Sequence, residues 1–176
     1  MSKAFTRESD DEQERSLPLR QPSVLPPGAK NYLTPNGAKR LRDELDRLVE
    51  VDRPRVAAAQ DQKEVKRQLE EIDLRIRHLH QSLQSAVVAV PPAKPWEQVR
   101  FGATVTVRNS GGAESRYRIV GLDETDLERD WVSWLSPIAK ALLNARLGQK
   151  VRFKFPSGEE ELEIVAIEYE SGISGA

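Results

Sequence analysis

The sequence contains no cysteine, one methionine and two histidines. That excludes a disulfide scaffold, a thiolate zinc site and a thiol nucleophile, and it agrees with a reducing, cytoplasmic setting. No apolar run approaches the ~20 residues needed to cross a bilayer and no signal peptide opens the chain, so no membrane association is expected. Charge of one sign is not in surplus either. Lys and Arg number 27 against 28 Asp and Glu, for a net charge of −1. Autonomous, non-specific nucleic-acid binding needs an excess of cations to displace counterions, and this chain has none. What remains is a 176-residue chain, 38% hydrophobic and 31% charged. That is polar for one compact globule and fits a long solvated helical segment beside a modest core.

Residues 1–30 read as a disordered tail. An acidic cluster from Glu8 to Glu14 is followed by Pro18, Pro22, Pro26 and Pro27, with too few apolar groups to offset the entropy of ordering. The alternative is an extended arm ordered by a partner. Structure is expected to begin at Asn31-Tyr32-Leu33-Thr34-Pro35, where Thr34 can cap a helix and Pro35 loses no needed donor. Ala38, Leu41, Leu45 and Leu48 then recur at helical spacing. After Pro54 a second run follows, Val65, Leu69, Ile72, Ile76, Leu79 and Leu83, giving an apolar seam of period 3.5.

One continuous helix and an antiparallel hairpin both satisfy that seam, and index sums favour the hairpin. Leu41 with Leu83, Leu45 with Leu79 and Leu48 with Ile76 share one sum, which Ala38 with Ala86 continues. The apex then falls near Gln62, within Ala59–Lys63. Asp52 and Arg55 interrupt the seam on the first arm, so packing is expected to weaken toward the tip. An antiparallel coiled-coil hairpin over 31–86 is the reading. Pro91-Pro92-Ala93-Lys94-Pro95 makes residues 87–98 a stiff linker.

Beyond the linker the period changes to two. Ala103–Arg108 turns at Ser110-Gly111-Gly112 and returns through Ser115–Val120, and Trp131–Trp134 is a short strand. Ser136-Pro137 opens a helix over Ile138–Arg146 that stops near Gly148. The hairpin of Lys150–Phe155 and Glu160–Tyr169 closes a small antiparallel sheet carrying one helix, over 99–172. The fold class is α+β.

Catalytic signals are poor. His78 and His80 are two apart and point to opposite sides of a helix, so they read as solvated surface residues. Gly111-Gly112 is a hairpin turn without the strand-to-helix context of a phosphate loop. Glu159, Glu160, Glu161 and Glu163 are solvated charge rather than a metal site. Asp123-Glu124-Thr125-Asp126 is an acidic loop without the glycine of a calcium loop. No catalytic residue, metal ligand or resident cofactor is assigned.

Several segments carry a resemblance: Asn31–Pro35, Asp52-Arg53-Pro54, Glu71-Ile72-Asp73, Phe101-Gly102-Ala103, Tyr117–Gly121, Ser136–Leu143 and Ala166–Tyr169. In order and across both halves, they resemble the GreA/GreB transcript-cleavage factors, nearest the GreB branch. The resemblance implies a coiled coil followed by an FKBP-like domain. It also implies a bacterial RNA polymerase core as partner, with the C-terminal domain docked at the rim of the secondary channel and the coiled coil inside it. In that family two carboxylates at the tip help hold a magnesium ion at the polymerase active centre, where the metal activates water to cleave backtracked RNA. Magnesium thus belongs to the polymerase, nucleic acid is met only through the transcription complex, and the factor is expected to be a monomer without enzymatic activity of its own.

This sequence departs from the family at the tip. The family motif G-D-x-S-E-N-x-[ED]-Y has no counterpart between Pro54 and Glu71. The hairpin is shorter than the family pattern by roughly a dozen residues, about six per arm, which removes on the order of 9 Å of reach. Asp61 and Glu64 are the acidic residues nearest the apex; they either mimic the acidic pair or are ordinary surface charge. The docking residues are better preserved. Ser136 and Pro137 match the family's helix start, with Leu135, Ile138 and Lys140 beside them, although Leu135 stands where the family often has an acid. The expected function is a polymerase-binding transcription regulator without cleavage stimulation. The alternatives are a genuine cleavage factor using Asp61 and Glu64, a regulator of nucleoside diphosphate kinase-like protein, and a peptidyl-prolyl isomerase suggested by the implied fold alone.

Overall fold

The structure is a computed structural model that describes residues 24–171. Most of the expected tail therefore lies outside the described residues. Its last part makes a turn, closed by the Ala29 N–H donating to the Pro26 carbonyl at 3.0 Å.

A short strand β1 (Asn31–Leu33) leads into helix α1 (Pro35–Arg47). Thr34 caps α1, its hydroxyl accepting from the Gly37 N–H at 2.9 Å, with proline at the first turn as the sequence implied. The arm continues through a π-helical turn (Leu48–Asp52) into α2 (Arg53–Ala57). Pro54 supplies the cause: it has no N–H to donate and its ring crowds the carbonyl four residues back, so the turn before it widens. Residues 58–61 reverse the chain, and α3 (Gln62–Ser85) forms the second arm. The reversal thus lies just before the apex expected near Gln62. Asp61 sets it by capping α3, its carboxylate accepting from the N–H groups of Lys63 and Glu64 at 3.1 and 3.3 Å.

The arms share one core of Leu33, Ala38, Leu41, Leu48 and Leu79, flanked by Leu45, Ile72, Ile76, Leu83 and Ala86. These include all the residues that the index sums paired. Val49 and Val51, off the seam, are 44% and 54% exposed, whereas Val65, a seam residue close to the reversal, is buried, so apolar cover extends further toward the tip than expected. Strand β2 (Ala86–Val88) pairs in parallel with β1 at the base, so the first residues of the expected linker are fastened to the start of the hairpin. Trp96, later in the same segment, donates to the Pro92 carbonyl at 3.0 Å and meets the Tyr169 ring at a tilt, centroids 5.4 Å apart.

The C-terminal half is a five-stranded sheet in the order β5-β4-β3-β7-β6, made of β3 (Ala103–Asn109), β4 (Glu114–Val120), β5 (Trp131–Ser133), β6 (Lys150–Phe155) and β7 (Gly158–Tyr169). Its core includes Val105, Ile119, Val132, Ile138, Leu142 and Ile164. The sheet is mixed, not wholly antiparallel as expected: β5 runs parallel to β4. Residues 121–130 carry the chain back through two 3-10 turns to lie beside Arg118, within the last half of β4, ending on Asp130 at φ 54°. Helix α4 (Pro137–Leu142) is also shorter than expected. Asn144 takes φ 68°, and residues 144–146 pair instead with 98–99, the Asn144 N–H donating to Val99 and the Val99 N–H to Ala145, both at 2.8 Å.

Candidate functional site

Three regions bear on function: the tip of the hairpin, the start of α4, and the junction between the halves. At the tip, Asp61 is exposed and spends one carboxylate oxygen on the α3 cap. Glu64, one turn further, accepts from Arg67 and from Gln68, the latter at 2.6 Å. Those bonds, with Arg67 the larger contribution, bring the Glu64 carboxyl down to about 2. Arg67 also holds Glu71 at 2.6 Å. Each tip carboxylate is therefore engaged locally, and no group of three or more His, Asp or Glu able to hold a metal occurs among the described residues.

At the start of α4, Ser136 caps the helix, its hydroxyl accepting from the Ala139 N–H at 3.3 Å. Ser136 is fully buried and Ile138 is 1% exposed. Both face the sheet core, so neither presents a surface to a partner; their part is to fix where the helix begins. The outward residues are Pro137 and Lys140, with Leu135 half-buried beside them. The expected docking set thus divides into two interior supports and three surface residues.

The junction holds what the sequence reading missed. Glu124 in the 3-10 turn Leu122–Glu124 has a side chain only 1% exposed. Its Oε2 accepts from the backbone N–H of Thr34 at 2.9 Å and of Gly121 at 3.1 Å. Its Oε1 accepts from the Thr34 hydroxyl and, at 3.4 Å, from Arg40. A buried carboxylate is tolerated where its lone pairs are all used, and here they are. Asp123 grips the other arm: Oδ1 lies 2.8 Å from His78 Nε2, and Oδ2 accepts from the Ser82 hydroxyl. His78 is half-exposed, but it is not the free surface residue that the sequence suggested. Tyr32 adds an edge-to-face contact with Trp134 at 5.2 Å.

The signal for this junction was Gly37. A glycine in the first turn of an otherwise good helix costs stability unless something must come close. A Cβ there would sit 1.7 Å from Glu124 Oε1, and one on Gly121 would sit 2.1 Å from the Tyr32 carbonyl.

Comparison with known proteins identifies a family. Residues 94–169 match the family model described as Transcription elongation factor, GreA/GreB, C-term. A transcription elongation factor GreB of Neisseria meningitidis is 42% identical over 154 residues, covering 80% of this chain and 94% of that protein. Since 80% of 176 residues is about 141, about 13 of those 154 aligned positions have no counterpart here. GreB of Pseudomonas aeruginosa is 42% identical over 78% of this chain and 89% of its own, and GreA of Alkalilimnicola ehrlichii is 39% identical over 80% and 99%. Among solved structures, a GreA/GreB elongation factor from Nitrosomonas europaea aligns over 80% of this chain and all of its own, with 23% identity and a TM-score of 0.40. On the strength of the sequence relatives, which run through both halves, the chain belongs to the GreA/GreB family of transcription elongation factors.

Proposed function

We propose that this protein binds the core of bacterial RNA polymerase at the secondary channel and regulates transcription there without stimulating transcript cleavage. The C-terminal domain, FKBP-like by family, docks on the channel rim through Leu135, Pro137 and Lys140. The helical arms act as an antiparallel coiled coil that enters the channel. The protein has no activity alone; magnesium stays with the polymerase, and nucleic acid is met only inside the transcription complex. It works in the cytoplasm as a monomer.

The observation that carries this reading is the tip. It lacks the family's acidic motif, one oxygen of Asp61 is used in the α3 cap, and Glu64 is paired with Arg67. The roughly 13 aligned positions absent from this chain match the size of the shortening expected in the hairpin. A tip withdrawn by ~9 Å leaves the metal's carboxylate positions to water, because such ligands sit within ~2–2.2 Å of magnesium. Co-purification with core polymerase, followed by cleavage of stalled complexes, tests the two halves of the reading separately.

One observation favours a genuine cleavage factor instead. Glu64 lies near the tip with its side chain 44% exposed, so its carboxylate is open to a metal that displaces Arg67. Cleavage that disappears in Asp61→Asn or Glu64→Gln would select this second reading.

A further inference from the structure

We propose that Asp123 and Glu124 form a two-pronged clamp that fixes the direction in which the helical hairpin leaves the sheet, making both positioning residues for the tip. They are consecutive on one turn of the C-terminal half, yet each holds a different arm. Glu124 takes the N-terminus of α1 through Thr34 and Arg40, and Asp123 takes α3 through His78 and Ser82.

The geometry of the grip explains its stiffness. One attachment between two bodies leaves a pivot; two attachments on separate arms remove the swing about it. Ser82 is itself braced, since the Asn31 side-chain amide donates to its carbonyl at 3.0 Å and to its hydroxyl at 3.2 Å. That bond ties α3 to β1, the strand that leads into α1. The clamp therefore closes a ring running from the turn to α3, to β1, to the α1 cap and back to the turn. Gly37 leaves room for the Glu124 carboxylate and Gly121 for the Tyr32 carbonyl, at distances no Cβ would permit. The polar interior of the ring is matched donor to acceptor, which gives a directional contact that apolar packing alone would not supply.

The lever makes this matter. Helix α3 has 24 residues, a length of about 36 Å, so a swing of about 10° moves the far end by about 6 Å. Without the clamp the tip would sample positions spread wider than a contact inside a channel tolerates. This consequence rests on the channel reading above; the clamp itself does not.

The absence of cysteine makes the test direct. Spin labels on Lys66→Cys near the tip and Arg152→Cys on the sheet, both exposed positions, report the tip-to-sheet distance by pulsed electron resonance. The expected result is one narrow distance in the otherwise native chain. In Asp123→Asn/Glu124→Gln the distribution should broaden at least twofold, while circular dichroism shows both helices and sheet retained. If that double variant fails to fold, His78→Ala/Ser82→Ala, which removes both contacts of the α3 prong and leaves the Glu124 prong, carries the measurement and should broaden it less. A broad distribution in the native chain, or variants as narrow as native, would overturn the clamp. Polymerase binding is read in parallel: the clamp variants should keep the native Kd and lose the native effect on transcription. If the native chain does not bind polymerase, the channel reading fails and the distances alone still decide the clamp.

Discussion

Arg75 on the second helical arm holds both carboxylate oxygens of Glu44 on the first, at 2.7 and 2.9 Å. In one continuous helix these residues would stand about 46 Å apart, so the pair is a signature of the hairpin. Glu44→Arg should lower stability by about 1 kcal/mol, as partly buried bidentate pairs do. Arg75→Glu in the same chain should restore most of the loss. Urea melts of the two single variants and the double variant check this, and simple additivity would contradict the pairing.

The same pair sets an acid limit. The hydrogen bond from Arg75 holds the Glu44 carboxyl below the ordinary glutamate range. A group depressed in the folded state contributes stability above its unfolded value, near 4.3, and that contribution is lost as pH falls through the folded value. Stability should therefore decline below about pH 4.3, and Glu44→Gln should flatten part of that slope. Melting temperatures between neutral and strongly acidic pH measure it.

At Gly37 the sign of a substitution is informative. In an exposed helix Gly→Ala stabilises by about 1 kcal/mol. Here the new methyl would meet Glu124 Oε1 at 1.7 Å and displace a carboxylate with four donors. Gly37→Ala should instead destabilise by about 1–3 kcal/mol, read as a lower melting temperature.

Much of the architecture was legible because it is written in local periodicity. The seam residues, the Thr34-Pro35 and Ser136-Pro137 helix starts, and the strands on either side of Gly111-Gly112 follow from spacing and capping chemistry. The reversal was placed slightly late because no glycine or proline marks it; the mark is Asp61 with Glu64 three residues on, an N-terminal helix signature. What did not show is what depends on distant residues. The parallel pairing of β5 with β4 is set by the path of 121–130, and the end of α4 by pairing with the linker. Glu124 looked like any loop acid because its four donors lie in other segments.

The outward face of α4 should carry polymerase affinity. Pro137 and Lys140 are exposed while Ser136 and Ile138 are interior. Pro137→Asp or Lys140→Glu should leave the fold intact and weaken binding by about 1–3 kcal/mol, whereas Ile138→Ala should act by destabilising the domain, by about 2–5 kcal/mol. Binding isotherms alongside thermal melts separate the two effects.

The central claim is occupancy of the channel without chemistry at its end. The most direct measurement is cleavage of stalled transcription complexes by polymerase, with this protein alone and with it added in excess over an ordinary GreB. We expect no stimulation by the protein alone, and slowed GreB-dependent cleavage with half-effect near its own Kd. Cleavage at rates like those of GreB, abolished by Asp61→Asn or Glu64→Gln, would contradict the account.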